Sequence, residues 1–274
     1  MTHVGENRPL RVVQLSDCHL FADEAGKLLG LETQDSLERV LGRVCAEQSH
    51  IDLLLATGDL SQDASPESYQ RLRQTLDRAL GAFAAPIYWL EGNHDKPAPM
   101  LSALQADPAQ VSPCVARLGN WTFVMLDSTI PGEVPGELFE ADLAFLDQAL
   151  AAAGDDHVMV CLHHHPVPMG CAWLDTQVVA SADRFFAVID RYPRVRAVIW
   201  GHVHQEYAGE RNGVELYAVP STCVQFKPGS EDFAVDDAAP GYRWFDLYPD
   251  GRIETQVSRV EGVHFEVDFS VKGY

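Results

Sequence analysis

Residues 51–59 read IDLLLATGD, and residues 11–19 read RVVQLSDCH. Each is a short aliphatic run that ends abruptly at a small residue followed by aspartate. In IDLLLATGD the apolar residues are nearly continuous rather than alternating, the pattern of a strand covered on both faces. Similar runs fill 86–90 before GNHD, 121–126 before Asp127, 157–162 before HHHP and 196–200 before GHVH. Six such strands require a central β layer sandwiched by other structure.

Helical patterns lie between the strands. Thr33 reads as an N-cap, after which Leu37, Val40, Leu41 and Val44 fall at i, i+3, i+4 and i+7, one apolar stripe for a sheet face. Ser65-Pro66 opens a second helix, with proline in the first helical position where its missing N–H costs nothing. Residues 138–153 and 178–192 read as two more. Beyond residue 213 only strands are expected: VELYAV, YRWFDLY and RIETQVSRV, the last two joined by a Pro249-Asp250-Gly251 hairpin turn, so that 213–260 reads as a β meander. The Pro-, Gly- and Asp-rich residues 227–241 read as a long surface loop. No repeat or linker interrupts the chain, and a single α/β domain over 1–274 is expected.

With 274 residues, 46% of them hydrophobic and 22% charged, the chain has material for a large core. Twenty Lys and Arg against 40 Asp and Glu leave a net charge of −20, a field that repels nucleic acid and anionic membrane surfaces. Neither is expected as a partner. The six cysteines form no C-x-x-C pair, which argues against a disulfide scaffold or zinc finger and fits a reducing cytoplasm. The opening MTHVGENRPL lacks an apolar signal core, and no run approaches the ~18 apolar residues of a membrane span. A cytoplasmic location is the expectation; oligomeric state leaves no trace in the sequence.

Polar residues collect where the strands end: Asp17 and His19, Gly58-Asp59, Gly92-Asn93-His94-Asp95, His163-His164-His165, and Gly201-His202-Val203-His204. Carboxyl ends of parallel strands form the functional edge of an open α/β sheet, so residues distant in sequence converge there. Seven of the eleven histidines belong to these motifs. Their donors are oxygen and nitrogen without sulfur, which suits Mn, Fe or Zn rather than a thiolate-bound structural zinc. Seven donors are too many for one tetrahedral ion. Two ions sharing a carboxylate resolve the excess, and such a pair, about 3.5–4 Å apart, clamps the attacking and leaving oxygens of a phosphoryl displacement and acidifies the water between them.

Taken together, D-x-H, G-D, G-N-H-D, a His-rich strand end and G-H-x-H resemble the motif series of the calcineurin-like metallophosphoesterases over residues 17–204. LSDCHLF, LEGNHD, LHHHPVPMGCAWLD, GHVHQE and VPSTCVQFKPGS resemble more narrowly the bacterial cyclic-AMP phosphodiesterases of that superfamily. The resemblance implies a four-layer α/β/β/α sandwich, two divalent ions per chain (iron or manganese foremost, zinc and cobalt compatible) and hydrolysis of 3′,5′-cyclic AMP to 5′-AMP by a hydroxide bridging the two metals. It also implies roles. Asp17, His19 and His204 hold one ion, Asn93, His163 and His202 the other, and Asp59 bridges. His94 acts on the leaving oxygen as the catalytic group, and His19, Asp59, Asn93, His94, His163 and His204 border the substrate. An H-x-P rule would choose His164 instead of His163. A broader small-molecule phosphodiesterase and a non-catalytic scaffold are the alternative functions; the filled motifs disfavour the second.

Other residues carry weaker readings. Asp127 is either a carboxylate orienting a ligand histidine or a turn residue. Asp63 and Asp175 read as caps. Trp173 is either a stacking surface for a base or packing. His3, His50, His157 and His264 have no motif context. Cys18, between Asp17 and His19, should point away from both.

Overall fold

The computed structural model describes residues 8–273; His3 lies outside them. Two sheets pack face to face. The five-stranded sheet runs in the order Ile253–Arg259, Gly241–Leu247, Leu10–Leu15, Leu53–Thr57, Ile87–Leu90. Its last three strands are mutually parallel, and the 241–259 hairpin adds antiparallel to Leu10–Leu15. The six-stranded sheet runs Tyr207–Arg211, Val214–Ala218, Val195–Trp200, His157–Cys161, Trp121–Met125, Cys114–Leu118. Its four central strands are parallel and its two outermost ones antiparallel.

Strand alternation sorts the side chains into three layers of core. Leu10, Val12, Leu53, Leu55, Phe123, Met125, Met159, Cys161, Ala197 and Ile199 meet between the sheets. Their neighbours Val13, Leu15, Leu54 and Ala56 face helices Thr33–Glu47 and Pro66–Leu80, meeting Leu37, Val40, Leu41, Val44, Leu72 and Leu76. On the far side Val124, Val158, Val160, Val198 and Trp200 face helices Glu140–Ala153 and Ala182–Ile189 through Leu143, Leu146, Leu150 and Phe185. The result is an α/β/β/α sandwich, and the continuous apolar strands are explained: both faces of each are dry. Among the described residues no helix is long and apolar enough to cross a membrane.

Several local expectations need correction. The strands expected as a meander over 213–260 are divided between the sheets: Val214–Ala218 extends the six-stranded sheet beside Val195–Trp200, while the following hairpin covers the edge of Leu10–Leu15. Each sheet had an open edge with a dry face, and Leu216 and Phe245 fill different cores accordingly. The expected loop 227–241 contains a strand, Val235–Asp236, paired with Gln225–Phe226. Thr33 is not the cap but the first helical residue; Glu32 precedes it without a side-chain cap, and the Thr33 N–H is taken by the Gly26 carbonyl at 3.2 Å. The helix expected over 178–192 is confined to Ala182–Ile189; Val179 and Ala180 precede it, their N–H groups bonded to the carbonyls of His165 and Gly136. The second helix does open at Pro66 as read, and the Ser65 hydroxyl caps it, accepting from Ser68 N at 3.2 Å.

The shared layer between the sheets should dominate stability. Leu55, fully buried on an interior strand, belongs to the core cluster shared by both sheets, so Leu55→Ala is expected to cost about 2–5 kcal/mol, read as a lower urea midpoint at unchanged m-value.

Candidate metal centre

Five strand ends converge on one cluster of side chains. The first sheet delivers Asp17 and His19 after Leu10–Leu15, Asp59 after Leu53–Thr57, and Asn93 and His94 after Ile87–Leu90; the second delivers His163 after His157–Cys161, and His202 and His204 after Val195–Trp200. The connecting turns are laced together. Asp17 N donates to Gly58 O at 2.9 Å, His19 N to Asp59 O at 2.9 Å, and Gly201 N to His163 O at 3.1 Å. Side chains add cross-links: the Asp17 carboxylate accepts from His202 N at 3.1 Å, joining the sheets, and Asp59 Oδ1 accepts from His94 N at 2.9 Å.

The middle residues of D-x-H and H-x-H anchor the two pairs. Cys18 sinks into the helix-side core of the first sheet and Val203 into that of the second, so Asp17 and His19, and likewise His202 and His204, are left facing the centre. Burial pushes the Cys18 thiol up to about 12, which leaves it a small apolar plug. Asp17, His19, Asp59, His202 and His204 all have φ between +46° and +63°. Left-handed conformation is uncommon outside glycine, and Asp and His are among the residues that tolerate it. At these points the chain leaves the sheet and turns its side chains onto the edge.

Hydrogen bonds fix which ring nitrogens face inward. His204 Nδ1 donates to Val224 O at 2.8 Å, His163 Nδ1 to Thr57 O at 2.8 Å, His19 Nδ1 to Gln62 Oε1 at 2.6 Å, and His202 Nε2 to Gln177 Oε1 at 2.9 Å. In the neutral rings the opposite nitrogens therefore bear lone pairs, and those meet one another. His19 Nε2 lies 3.1 Å from His204 Nε2, which lies 3.4 Å from Asp17 Oδ1. Asn93 Oδ1 lies 3.0 Å from His202 Nδ1 and 3.3 Å from His163 Nε2. Asp59 Oδ2 borders both sets, 3.7 Å from His19 Nε2 and 3.4 Å from His163 Nε2. Facing lone pairs repel unless a cation lies between them. Donors around one ion at about 2.0–2.2 Å stand roughly 3–4 Å apart, so the spacing fits a metal on each side of Asp59.

The electrostatics agree. Burial pushes the His19 imidazole down to about 3 and holds His202 well below its usual range. Burial also opposes charge on His163, but the adjoining Asp59 overrides it and lifts this ring to about 9. Asp59 is itself held well below the usual carboxylate range: its burial is outweighed by His163 and His19. A cation is thus favoured where the Asp59 and His163 side chains meet, whether it is a proton or a metal.

The triple histidine divides cleanly. His163 directs Nε2 at Asn93 and Asp59, whereas His164 uses both nitrogens, Nδ1 with Ser128 Oγ at 2.9 Å and Nε2 with Val134 O at 3.0 Å. His165 is buried and stacks on His202, ring centroids 5.7 Å apart. The strand stops at Cys161, so simple alternation does not govern these three. His94 is half-buried, its ring edge-on to His19 at 5.1 Å. Asp127 binds Thr129 N and Oγ1 in a local turn, Asp63 gathers Ala22 N and the Ser65 N–H and hydroxyl, and Asp175 takes Met169 N. Trp173 packs edge-on against Phe226 and Phe233.

Sequence reading missed the outer contacts. Gln62, Gln177 and the carbonyls of Thr57 and Val224 lie outside the motifs or carry no side-chain signal. Asp95, in GNHD, binds Leu60 N, Ser61 N, Gly92 N and Tyr69 OH and so clamps two of the turns together.

A doubly covered pair of sheets, with buried carboxylates and imidazoles collected at the carboxyl ends of their strands, defines a metal-dependent phosphoesterase. The chain belongs to the calcineurin-like phosphoesterase family, whose profile matches residues 10–206. It is 48% identical over 96% of its length to the 3′,5′-cyclic adenosine monophosphate phosphodiesterase CpdA of Pseudomonas aeruginosa, covering 94% of that protein, and 41% identical over 98% to the CpdA of Escherichia coli K12, covering 96%. The fold is also that of a dimetal phosphatase from Danio rerio, with a TM-score of 0.61 at 15% identity over 93% of this chain and all of that one.

Gly58 tests how tightly the frame holds its rings. Its φ is +97°, and a Cβ there would lie 2.3 Å from His163 Nδ1. Gly58→Ala is expected to destabilise the fold by more than about 1 kcal/mol. Gly42→Ala, on the exposed face of helix Thr33–Glu47 with nothing within 4 Å of the new Cβ, should be neutral or stabilising by up to about 1 kcal/mol. Parallel urea titrations of the two variants check the contrast.

Proposed function

We propose that this chain hydrolyses 3′,5′-cyclic AMP to 5′-AMP, using two divalent metal ions held at the strand-end centre. The observation that carries the two-ion reading is the position of Asp59, whose Oδ2 borders both sets of facing lone pairs. The substrate follows from the names of the relatives, two cyclic-AMP phosphodiesterases matched over nearly the full chain. Asp17, His19 and His204 hold one ion, Asn93, His163 and His202 the other, and Asp59 serves both. When bound, the ions supply Lewis acidity that offsets charge developing on the phosphate and makes water acidic enough to attack at neutral pH.

The chain's own residues do the rest. His19, Asp59, Asn93, His163 and His204 border the phosphate and fix its orientation. His94, half-buried at the mouth, has its backbone pinned to Asp59 Oδ1, so its ring stays beside the reacting bond and gives a proton to the departing ribose oxygen. An all-nitrogen-and-oxygen donor set favours iron or manganese over a soft, thiolate-seeking ion. Six free cysteines suit a reducing cytoplasm. The C-terminal strands complete the same two sheets that carry the ligands, which supports one domain over 1–274.

Chelation is expected to abolish turnover and added Mn or Fe to restore it; activity in protein shown to be metal-free would overturn the mechanism. Rates on cyclic AMP, cyclic GMP, 2′,3′-cyclic AMP and bis(p-nitrophenyl) phosphate should rank cyclic AMP first, and a uniform response would point to a broader diesterase. For His94→Ala both ions should be retained while kcat on cyclic AMP falls by about 10²–10⁴. The loss should shrink on the nitrophenyl ester, whose leaving group departs without a proton. Equal losses on both substrates would reassign His94 to phosphate positioning.

A further inference from the structure

The four donor imidazoles differ in where they send their hydrogens. His163 and His204 use backbone carbonyls, of Thr57 and Val224, whereas His202 uses a side chain, Gln177 Oε1, at 2.9 Å. Thr57 ends a central strand of the rigid frame. Gln177 ends the short turn Leu174–Gln177, whose Leu174 is buried in the helix-side core of the second sheet, while the residues just before the turn are tied to the hairpin loop after Phe226. Ala172 N and Trp173 Nε1 both bond Ser230, and Gly229 N bonds Cys171 Sγ.

Packing sets the plane of the His202 ring. His165 stacks on it at an interplanar angle of 17°, with His163 and His164 against it at centroid distances of 5.1 and 4.7 Å. Packing does not choose which nitrogen carries the hydrogen. If it sat on Nδ1, that N–H would point at Asn93 Oδ1, 3.0 Å away, and a hydrogen bond would form between the two groups. One proton would then consume two donors at once, and the site would close on itself. An acceptor at Nε2 removes this alternative.

We propose that Gln177 is a positioning residue that holds His202 in its Nε2–H form and so keeps both His202 Nδ1 and Asn93 Oδ1 open to the second ion. The inference rests on the two-ion reading above. It also links that ion to the loops 166–180 and 227–234, so a shift of the Leu174–Gln177 turn is felt as a change in metal affinity.

Mn(II) titration of the chelated full chain, following free Mn(II) by electron paramagnetic resonance, tests it. Wild type should take two ions. Gln177→Met, similar in length but unable to accept, should weaken one ion about 10–100-fold and leave the other unchanged. Gln177→Glu, which still accepts from Nε2–H, should keep wild-type affinity or exceed it. In the metal-free chain, long-range ¹H–¹⁵N spectra should show the His202 hydrogen on Nε2 in wild type and on Nδ1 in Gln177→Met. Two wild-type affinities in Gln177→Met would overturn the inference while leaving the metal centre intact, as would the reverse order, Met tolerated and Glu not, which marks a packing role. A wild-type chain that binds fewer than two ions would overturn the metal centre and this inference with it.

Discussion

An imidazole offers a bare lone pair only when its other nitrogen has somewhere to place its hydrogen, and the strand-end edge is built around that requirement. Each of the four inward-facing rings has an acceptor behind it: Thr57 O, Val224 O, Gln62 Oε1 or Gln177 Oε1. Without those acceptors the rings would hydrogen-bond to the neighbouring carboxylates and amide, and the centre would satisfy itself. With them it is left short of positive charge. The demand for a cation is therefore created by groups outside the proposed ligand set.

Holding such a set costs backbone energy. Five donors sit at positive φ, and even at about 1 kcal/mol each the sum is a sizeable part of a typical net stability of about 5–15 kcal/mol. The offset comes from neighbouring layers. Cys18 and Val203, between the donor pairs, are buried in opposite helix-side cores, and the Asp17 carboxylate receives His202 N from the other sheet. The interlayer core holds the two sheets together, so side chains from both meet at the shared edge. Strain at the edge and apolar burial beneath it are two parts of one arrangement.

What the sequence made legible follows from this division. The strands were readable because double coverage removes polar residues from them, and the motifs were readable because seven chemically distinctive side chains stop those strands. The choice between His163 and His164 was not readable. What favours His163 is that Ser128 and the Val134 carbonyl take both nitrogens of His164, contacts from 30 or more residues away. Carbonyl acceptors such as Val224 O leave no side-chain signature at all, and Gln177 looks like any loop glutamine. The meander failed for a related reason: local pattern identifies a strand but not which of two open sheet edges it will cover.

The net charge of −20 appears ill suited to an anionic substrate, and distance resolves the conflict. Screening limits the field of surface carboxylates to about 8 Å at physiological ionic strength, while the two divalent ions proposed above, set against Asp17 and Asp59, would leave the centre formally at +4 − 2 = +2. A small cyclic nucleotide needs only that short-range field once it has entered. A longer polyanion brings many more charges into the overall field of a chain at −20. On the proposed reading, the same sequence charge that looks unhelpful for binding one phosphate weighs less against a compact monoanion than against a nucleic-acid strand that carries the same diester bond.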